Sequence, residues 1–298
     1  MEELIFPIFR GLGQGSVYAL LAAGFVVIYR ATDVVNFAQP TLMVLGAYFT
    51  SLFVRGYGLP FWVGVVAAMV TMAVIAALIE RIALRPMVGQ PVFSAAMVTV
   101  GLFFALLVLA GRLIRQPIFM GDPWGNDSFV LLGRNVFVAD AWKIVITLVA
   151  FAAVGLFLDR SRVGLAMRAT SLDQEVALAQ GVNVGRMFNL SWALSGALAA
   201  LAGMLVGTGG GGGVEATTAF VALKALPVII LGGLDSIRGA LIAGLFIGVA
   251  ESITRGYAST LAPILGANVD IVVPYLIMIV VLMVRPYGLF GTPEVQRV

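Results

Sequence analysis

Long apolar runs, separated by short clusters of Gly, Pro and charged residues, recur along the whole of this 298-residue chain. A helix needs about 20 apolar residues to cross about 30 Å of hydrocarbon. The runs are continuous and do not alternate as barrel strands do, so helices are predicted. Hydrophobic residues make up 61% of the chain and charged residues 11%, against roughly 45–50% and about 25% in soluble domains. The sequence therefore predicts an all-α integral membrane protein, a polytopic helical bundle.

About eight or nine transmembrane segments are predicted, in a single domain that covers residues 1–298. The second segment contains Asn36, Gln39 and Pro40 in its first half, and proline removes a backbone donor and restricts the residue before it. We therefore expect that segment to be broken or re-entrant. The predicted segments are residues 11–29, 36–54, 60–79, 92–111, 142–158, 188–207, 217–233, 239–254 and 271–284.

The distribution of arginine predicts which connections lie in the cytoplasm. Residues 81–91 and 159–187 are the most basic connections, and two predicted crossings separate them. Both are expected in the cytoplasm, with the connection of about 112–141 on the extracytoplasmic side. Counting crossings in both directions places the N-terminus outside and the C-terminus in the cytoplasm, provided that the second segment crosses fully.

The chain contains no Cys and no His. It therefore has no disulfide, thiolate nucleophile, imidazole base or metal site built from these ligands, and we expect no catalytic residues, no cofactor and no bound metal. The net charge of +3 comes from side chains scattered between apolar runs, so nucleic acid is not an expected partner. The glycine run 209–213 lacks the Lys-Ser/Thr of a phosphate-binding loop. Any ATP that drives this protein must then bind another polypeptide.

Small residues recur at every fourth position in three predicted segments, which allows helix backbones to approach closely in lipid. Ordinary packing within the chain is the main interpretation, and the wall of a gated pathway is the alternative. The rows are Gly11 and Gly15; Ser195, Ala199, Gly203 and Gly207; and Ala240, Gly244, Gly248 and Ser252.

Polar side chains are concentrated at the start of the second segment, where Asn36, Gln39 and Thr41 occur. Burying an amide without a hydrogen bond costs roughly 2–7 kcal/mol, so these side chains are expected to face protein or water. Helix capping with interhelical hydrogen bonds is one interpretation, and lining of a translocation pathway is the other. Gln14 and Tyr18 in the first segment are candidates for the same pathway, with structural hydrogen bonding as the alternative.

Lys224 lies within the seventh predicted segment, and Glu251 lies near one end of the eighth. A charge at the bilayer centre costs at least about 2.5 kcal/mol, so it is usually paired, snorkelling or functional. We expect Lys224 to snorkel or to pair with Glu251 or Glu215. Contact with a transported solute, which would add Lys224 to the pathway candidates, is the alternative.

Residues 164–184 form an amphipathic connection and predict a short surface helix. Ser171 is a candidate start of this helix and Gly181 a candidate end. The composition suits a helix that lies in the membrane interface. Alternatively, the helix protrudes from the cytoplasmic face and a partner protein binds it.

Three stretches of the chain, taken together and in order, resemble a known family. They are GLGQGSVYALLAAGFVVIYRATDVVNFAQPTLMVLGAY (residues 11–48), RATSLDQEVALAQGVNVGR (168–186) followed by SGALAALAGML (195–205), and VIILGGLDSIRGALIAGLFIGVAES (228–252). In these stretches the chain is similar to the permease subunits of branched-chain amino acid ABC importers, the LivH type. The resemblance covers nearly all of the chain.

The resemblance implies a permease subunit in the bacterial cell membrane, surrounded by lipid, that passes a hydrophobic amino acid into the cytoplasm. Its implied partners are a second homologous permease, two ATP-binding subunits and an extracytoplasmic solute-binding protein. It also implies that residues of about 160–187 form a cytoplasmic coupling segment for the ATP-binding subunit, with Val176 departing from the double Ala of the family pattern. The candidate coupling residues are Arg168, Asp173, Glu175, Ala177 and Gly181.

Other functions stay open from the residues alone. The predicted pathway residues do not discriminate among solutes, so urea, a short amide or a small carboxylate is an alternative cargo. An ion-coupled secondary transporter is a further alternative, against which the sparse intramembrane acids count. An integral membrane enzyme would have to rely on scattered carboxylates without paired spacing.

Overall fold

The computed structural model describes residues 2–131, 134–209, 213–258, 260 and 268–292. Helices dominate the described residues, and a two-stranded antiparallel hairpin lies in one connection. The elements in chain order are α1 (Glu2–Thr32), α2 (Gln39–Ser51), α3 (Phe61–Ile79), α4 (Val92–Leu113), β1 (Ser128–Leu131), β2 (Arg134–Phe137), α5 (Val138–Arg160), α6 (Arg162–Leu172), α7 (Gln174–Ala179), α8 (Val184–Val206), α9 (Thr218–Ala222), α10 (Ala225–Gly232), α11 (Ile237–Gly256) and α12 (Val269–Val284).

The polytopic helical fold is confirmed. Two shorter apolar helical stretches, Thr218–Gly232 and Val269–Val284, correspond to two further predicted segments. The remaining predicted segment, residues 36–54, corresponds to α2. Within the described residues, six helices are long and apolar enough to cross a membrane: Phe6–Thr32, Phe61–Met87, Val92–Leu113, Val138–Arg160, Val184–Val206 and Ile237–Gly256.

The helix of the second segment, α2, begins at Gln39 instead of residue 36. Pro40 lies in its first turn, where a missing backbone N–H costs little because first-turn donors have no partner within the helix. A π-helical turn, Leu52–Gly56, extends the helix at its other end. The proline therefore starts this helix and does not interrupt it. Whether the segment crosses the bilayer fully stays a prediction.

The predicted segment 217–233 is discontinuous, in contrast to the single helix expected from its sequence. It forms α9 and α10, with Leu223 and Lys224 in a turn between them. Pro227 has no N–H to donate to the carbonyl of Leu223, and its ring opposes a continuous helix there. The N–H of Leu226 instead donates to the Leu223 carbonyl at 2.9 Å. Lys224 is thus placed at the junction of two short helices.

The central helix of the bundle is α1. Its side chains from Val17 to Ile28 are buried, and it packs against α5, α8, α10 and α11. In the most apolar stretch of α1, 89% of the residues are buried. In the corresponding stretches of α3, α4 and α5 the share of buried residues is only 28%, 17% and 22%. The apolar faces of these three helices are therefore turned outward, toward lipid or partner subunits.

The predicted rows of small residues are helix contacts. A Cβ added to Gly248 of α11 would lie 2.3 Å from Gly15 Cα, and one added to Gly15 would lie 2.5 Å from the Gly244 carbonyl. In α8, a Cβ added to Gly203 would lie 2.2 Å from the carbonyl of Met43 in α2. These backbones are in contact because glycine has no side chain. The contacts support the interpretation of the rows as ordinary packing within the chain.

The connections group at two ends of the bundle as the charge distribution predicts. At one end, Arg85 Nη2 donates to the Gly185 carbonyl at 2.9 Å, which joins the two arginine-rich connections. At the other end, Ile118 and Val214 form an antiparallel β-bridge. The two ends are therefore distinct, and the prediction of which one faces the cytoplasm stays a prediction.

The predicted extracytoplasmic connection is shorter than residues 112–141, because α4 extends to Leu113 and α5 begins at Val138. It carries the β1–β2 hairpin. Asp122 in this connection accepts a hydrogen bond from the N–H of Gly209 at 3.3 Å. Residues 210–212 of the glycine run lie outside the described residues.

Gly248→Ala is expected to destabilise the bundle. The added methyl group meets the α1 backbone at Gly11 and Gly15, and overpacking of this kind costs about 1–3 kcal/mol. Gly155→Ala on α5 is the matched control, because no atom lies within 4 Å of its added Cβ and Ala is favoured over Gly in a helix by roughly 0.5–1 kcal/mol. Thermal unfolding in detergent, followed by tryptophan fluorescence, should show a lower midpoint for Gly248→Ala alone. Equal midpoints would contradict the close contact.

Candidate functional site

A buried polar network is centred on Glu251 of α11, whose side chain is completely buried. Its Oε1 accepts hydrogen bonds from Lys224 Nζ at 2.6 Å and Arg255 Nη2 at 2.8 Å. Gln14 Nε2 also donates to Oε1, at 3.3 Å, and Tyr18 Oη donates to Oε2 at 2.9 Å. Protein donors thus replace the hydration that the carboxylate loses on burial.

The charges of this network sum to zero. Arg255 Nε donates to Asp270 Oδ2 of α12 at 2.9 Å, so the cations Lys224 and Arg255 face the carboxylates of Glu251 and Asp270. The Lys224 side chain is 7% exposed, so it is buried and paired and does not snorkel to the interface. Pairing of Lys224 with Glu251, one of the expectations from the sequence, is therefore confirmed. The network joins α1, the α9–α10 junction, α11 and α12 at one point.

A second buried network joins α2 to α8 and α1. Gln39 Oε1 accepts hydrogen bonds from Ser195 Oγ at 2.8 Å and Asn36 Nδ2 at 3.3 Å. Gln39 Nε2 donates to the Ser195 carbonyl at 3.3 Å. Gly24 of α1 leaves the space for this amide, since a Cβ there would lie 2.1 Å from Gln39 Nε2.

The start of α2 uses its polar residues for local bonding as well. Asn36 Oδ1 accepts a hydrogen bond from the N–H of Ala38 at 3.1 Å, and Thr41 Oγ donates to the Ala38 carbonyl at 2.7 Å. The Asn36 bond closes a turn before the helix, and α2 itself has no side-chain cap, so the predicted helix capping is wrong. The predicted interhelical bonding is confirmed by the contacts of Gln39 with Ser195. The two networks stay separate, because Tyr18 and Gly24 lie six residues, or about 9 Å, apart along α1. A role for either in solute passage stays a prediction.

The predicted coupling segment forms two short helices instead of one. Ser161 Oγ accepts from the N–H of Gly164 at 2.9 Å and caps α6. Asp173 Oδ1 accepts from the N–H of Val176 at 3.0 Å and caps α7. The predicted start at Ser171 is wrong, because its hydroxyl donates to the Arg168 carbonyl within α6. The predicted end is confirmed: Gly181 follows α7 with a φ of 81°, which favours glycine.

The α6–α7 segment has a buried side and an exposed apolar edge. Ala177 is buried against the bundle. Leu172 at the end of α6 and Val176 and Leu178 of α7 are exposed, Leu172 to 87%. Arg168 lies 3.9 Å from Asp159 in an exposed ion pair. An exposed edge of large apolar side chains at the end of a bundle is a feature of protein contact surfaces.

Sequence patterns did not indicate one further buried carboxylate, Glu80. A π-helical turn extends α3 past residue 79 and places Glu80 inside the protein. Its Oε2 accepts from Asn189 Nδ2 at 2.6 Å, and Arg85 Nε lies 3.5 Å from its Oε1. A cavity of about 70 Å³ lies beside it, bounded by Gln174 of α7 and Trp192 of α8. Its position next to a run of arginines is the only sequence signal that it carried.

The sequence pattern also did not indicate Ser195 as a polar contact, because Ser195 is one member of a row of small residues. Its hydroxyl lies 2.9 Å from the Gly24 carbonyl and 2.8 Å from Gln39 Oε1. No cluster of three or more potential metal ligands occurs among the described residues.

The fold and these sites define a class of protein. Polar side chains buried between apolar helices, with a short helix exposed at one end of the bundle, are features of a membrane permease. Residues 7–282 match the family described as "Branched-chain amino acid transport system / permease component". The chain belongs to this family, and the resemblance seen in the sequence is confirmed.

Individual relatives match over nearly the whole chain. It is 31% identical to the High-affinity branched-chain amino acid transport system permease protein LivH of Salmonella typhimurium, over 97% of this chain and 96% of LivH. It is likewise 31% identical to the corresponding permease protein BraD of Pseudomonas aeruginosa, over 97% of this chain and 96% of BraD. A solved chain of PsaBC from Streptococcus pneumoniae in complex with Fab is similar with a TM-score of 0.48 and 11% identity, covering 93% of this chain and 91% of that chain.

Glu251→Gln is expected to destabilise the protein strongly. Lys224 would then lie buried opposite a neutral amide, and breaking a buried ion pair costs about 3–5 kcal/mol. The double variant Lys224→Met/Glu251→Gln removes both charges of the pair and is expected to recover part of the loss. Unfolding midpoints of the wild type, the two single variants and the double variant form a double-mutant cycle that measures the coupling. A double variant less stable than Glu251→Gln alone would argue against the pair.

Proposed function

We propose that this protein is the transmembrane permease subunit of an ATP-driven importer that translocates branched-chain amino acids. The observation that carries the proposal is its similarity to LivH and BraD over 97% of this chain. A solute-binding protein outside the membrane delivers the amino acid, and a second homologous permease completes the pathway. Two ATP-binding subunits supply the energy. The N-terminus lies outside and the C-terminus lies in the cytoplasm of the bacterial cell.

Polar residues of the two buried networks are the candidates for the translocation pathway. An amino acid carries an ammonium and a carboxylate group, and both need hydrogen-bonding partners within the membrane. In the described structure these side chains bond to one another, to Glu251 and to Ser195, except Thr41, which bonds to the Ala38 carbonyl. Passage of a solute therefore requires that some of these bonds are exchanged for bonds to the solute. The candidates are Gln14, Tyr18, Asn36, Gln39, Thr41 and Lys224.

The exposed apolar side chains of the α6–α7 segment support its coupling role. Large apolar side chains that are exposed in one subunit are suited to burial in a cleft of another. The helix α6 packs against α1, α5 and α8, so a displacement of α7 reaches the central helix through one packed element. Such coupling requires that the ATP-binding subunits bind two conformations of the permease with different affinity.

Reconstitution in proteoliposomes tests the proposal. Vesicles that hold this protein with the partner permease, the ATP-binding subunits and the binding protein are expected to accumulate labelled leucine when ATP is hydrolysed. Vesicles that hold this protein alone are expected to accumulate no leucine under a proton or sodium gradient. Accumulation by the protein alone would overturn the ATP-driven mechanism. ATP-dependent uptake of urea or a short amide in place of leucine would overturn the assignment of branched-chain amino acids as the solute.

Leu172→Asp is expected to uncouple transport without unfolding the protein. Leu172 is 87% exposed, so the change removes a contact surface for a partner and little packing within this chain. ATP-dependent uptake is expected to fall about tenfold, the effect of losing an interface anchor, with an unchanged unfolding midpoint. Val130→Asp on the hairpin, at a position 69% exposed, is the matched control and should retain uptake. Equal uptake by both variants would contradict the coupling role of the α6–α7 segment.

A further inference from the structure

A groove lies on the outside of the bundle where α3 ends and α8 begins. Its volume is about 350 Å³, and the proposed transport mechanism gives it no role. Apolar residues of α3 form one part of the lining, and basic and amide side chains form the other. The lining residues are Val74, Ala77, Leu78, Arg81, Arg85, Asn183, Arg186 and Asn189.

Two of the three arginines in this groove have no partner among the described residues. Among the described residues, the guanidinium groups of Arg81 and Arg186 make no hydrogen bond and no ion pair. Arg85 is engaged, since its Nη2 donates to the Gly185 carbonyl at 2.9 Å and its Nε lies 3.5 Å from Glu80 Oε1. Three cations against the one carboxylate of Glu80 leave a net charge of +2 at the groove.

The N-terminus of α8 adds to the positive potential of the groove. This helix runs for 23 residues from Val184, and its N-terminus carries the positive end of the helix dipole. Asn183 caps it, accepting from the N–H of Arg186 at 2.9 Å. Asn189, one turn further on, is held by its bonds to Glu80 and to the Ala77 carbonyl. Unpartnered guanidinium groups beside a helix N-terminus favour an anion.

The apolar part of the groove is turned outward from the bundle. Val74 and Leu78 on α3 are 54% and 51% exposed, and they lie in a helix long and apolar enough to cross the membrane. Arg81 and Arg85 follow about one and two turns beyond Leu78, near the end of this apolar helix at Met87. The groove therefore offers positive charge near the end of the helix and an apolar surface beside it.

We propose that this groove binds the phosphate headgroup of an anionic phospholipid. Arg81 and Arg186 contact the phosphate oxygens, and an acyl chain lies against Val74 and Leu78. Basic pockets at the ends of membrane-spanning helices attract anionic headgroups in this way. A free phosphate ion would contact the same arginines but would leave the exposed apolar wall of α3 uncovered, so the combined lining favours a lipid.

Native mass spectrometry of the complete transporter in neutral detergent tests the proposal. Phosphatidylglycerol and phosphatidylcholine are added at equal concentration, and bound lipid is counted. The wild type is expected to retain phosphatidylglycerol over phosphatidylcholine by about threefold or more, and Arg81→Gln/Arg186→Gln is expected to lose this preference. The same double variant should unfold at the wild-type midpoint without lipid, because both side chains are exposed or unpartnered.

The matched control is Arg112→Gln/Arg115→Gln, which removes the same charge from exposed positions at the other end of the bundle. It is expected to retain the wild-type lipid preference. Equal retention by the wild type and Arg81→Gln/Arg186→Gln, or an equal loss in the control, would overturn the site. Should the double variant prove unstable, Arg186→Gln alone serves in its place with the same expected direction.

The source of the anion is distinguished in a parallel measurement of unfolding midpoints. Phosphatidylglycerol is expected to raise the wild-type midpoint, and inorganic phosphate at the same concentration is expected to leave it unchanged. An equal rise with inorganic phosphate would identify a free-anion site and overturn the lipid assignment. Lipid retained by the isolated subunit but absent from the complete transporter would show that a partner subunit covers the groove, and it would also overturn the proposal.

Discussion

The contact between α1 and α11 determines how the rest of the bundle is arranged. Glycines on both helices bring the two backbones into contact, and this contact places Gln14 and Tyr18 within hydrogen-bonding distance of Glu251. In lipid no water replaces a lost partner, so a carboxylate moved away from these donors would carry an uncompensated charge. Close packing and charge compensation are therefore properties of the same interface, and neither persists without the other.

Sequence reasoning predicted the features of this structure that depend on local composition. Apolar run length predicted the helices, small residues at every fourth position predicted close contacts, and opposite charges in neighbouring apolar segments predicted the pairing of Lys224. The break between α9 and α10 was missed although Pro227 is visible in the sequence, because the apolar run continues across it. Hydropathy measures length and composition, whereas the break depends on a single absent backbone donor.

Partners that depend on tertiary packing were beyond the reach of the sequence. Gln39 was expected to need a hydrogen-bonding partner, but its partner Ser195 lies 156 positions away and reads as a small packing residue. Glu80 and Asn189 are 109 positions apart, and their contact depends on how α3 continues into a π-helical turn. The need of Gln39 for a partner was predictable from solvation, whereas the burial of Glu80 was not. In both cases the group that meets the need was set by which helix faces it.

The two buried networks differ in the cost of rearrangement, which bears on how the bundle changes shape. Breaking the Lys224–Glu251 pair leaves buried charges and costs about 3–5 kcal/mol, whereas a neutral hydrogen bond such as that of Gln39 with Ser195 contributes about 0.5–1.5 kcal/mol net. Under the proposed alternating access, α1, α11, α12 and the α9–α10 junction are then expected to move as one body. The α6–α7 segment continues directly into α8, so a displacement of α7 acts first on the helix that carries Ser195. Exchange of hydrogen bonds with a solute is therefore expected at the neutral network, while the charged network holds the moving body together.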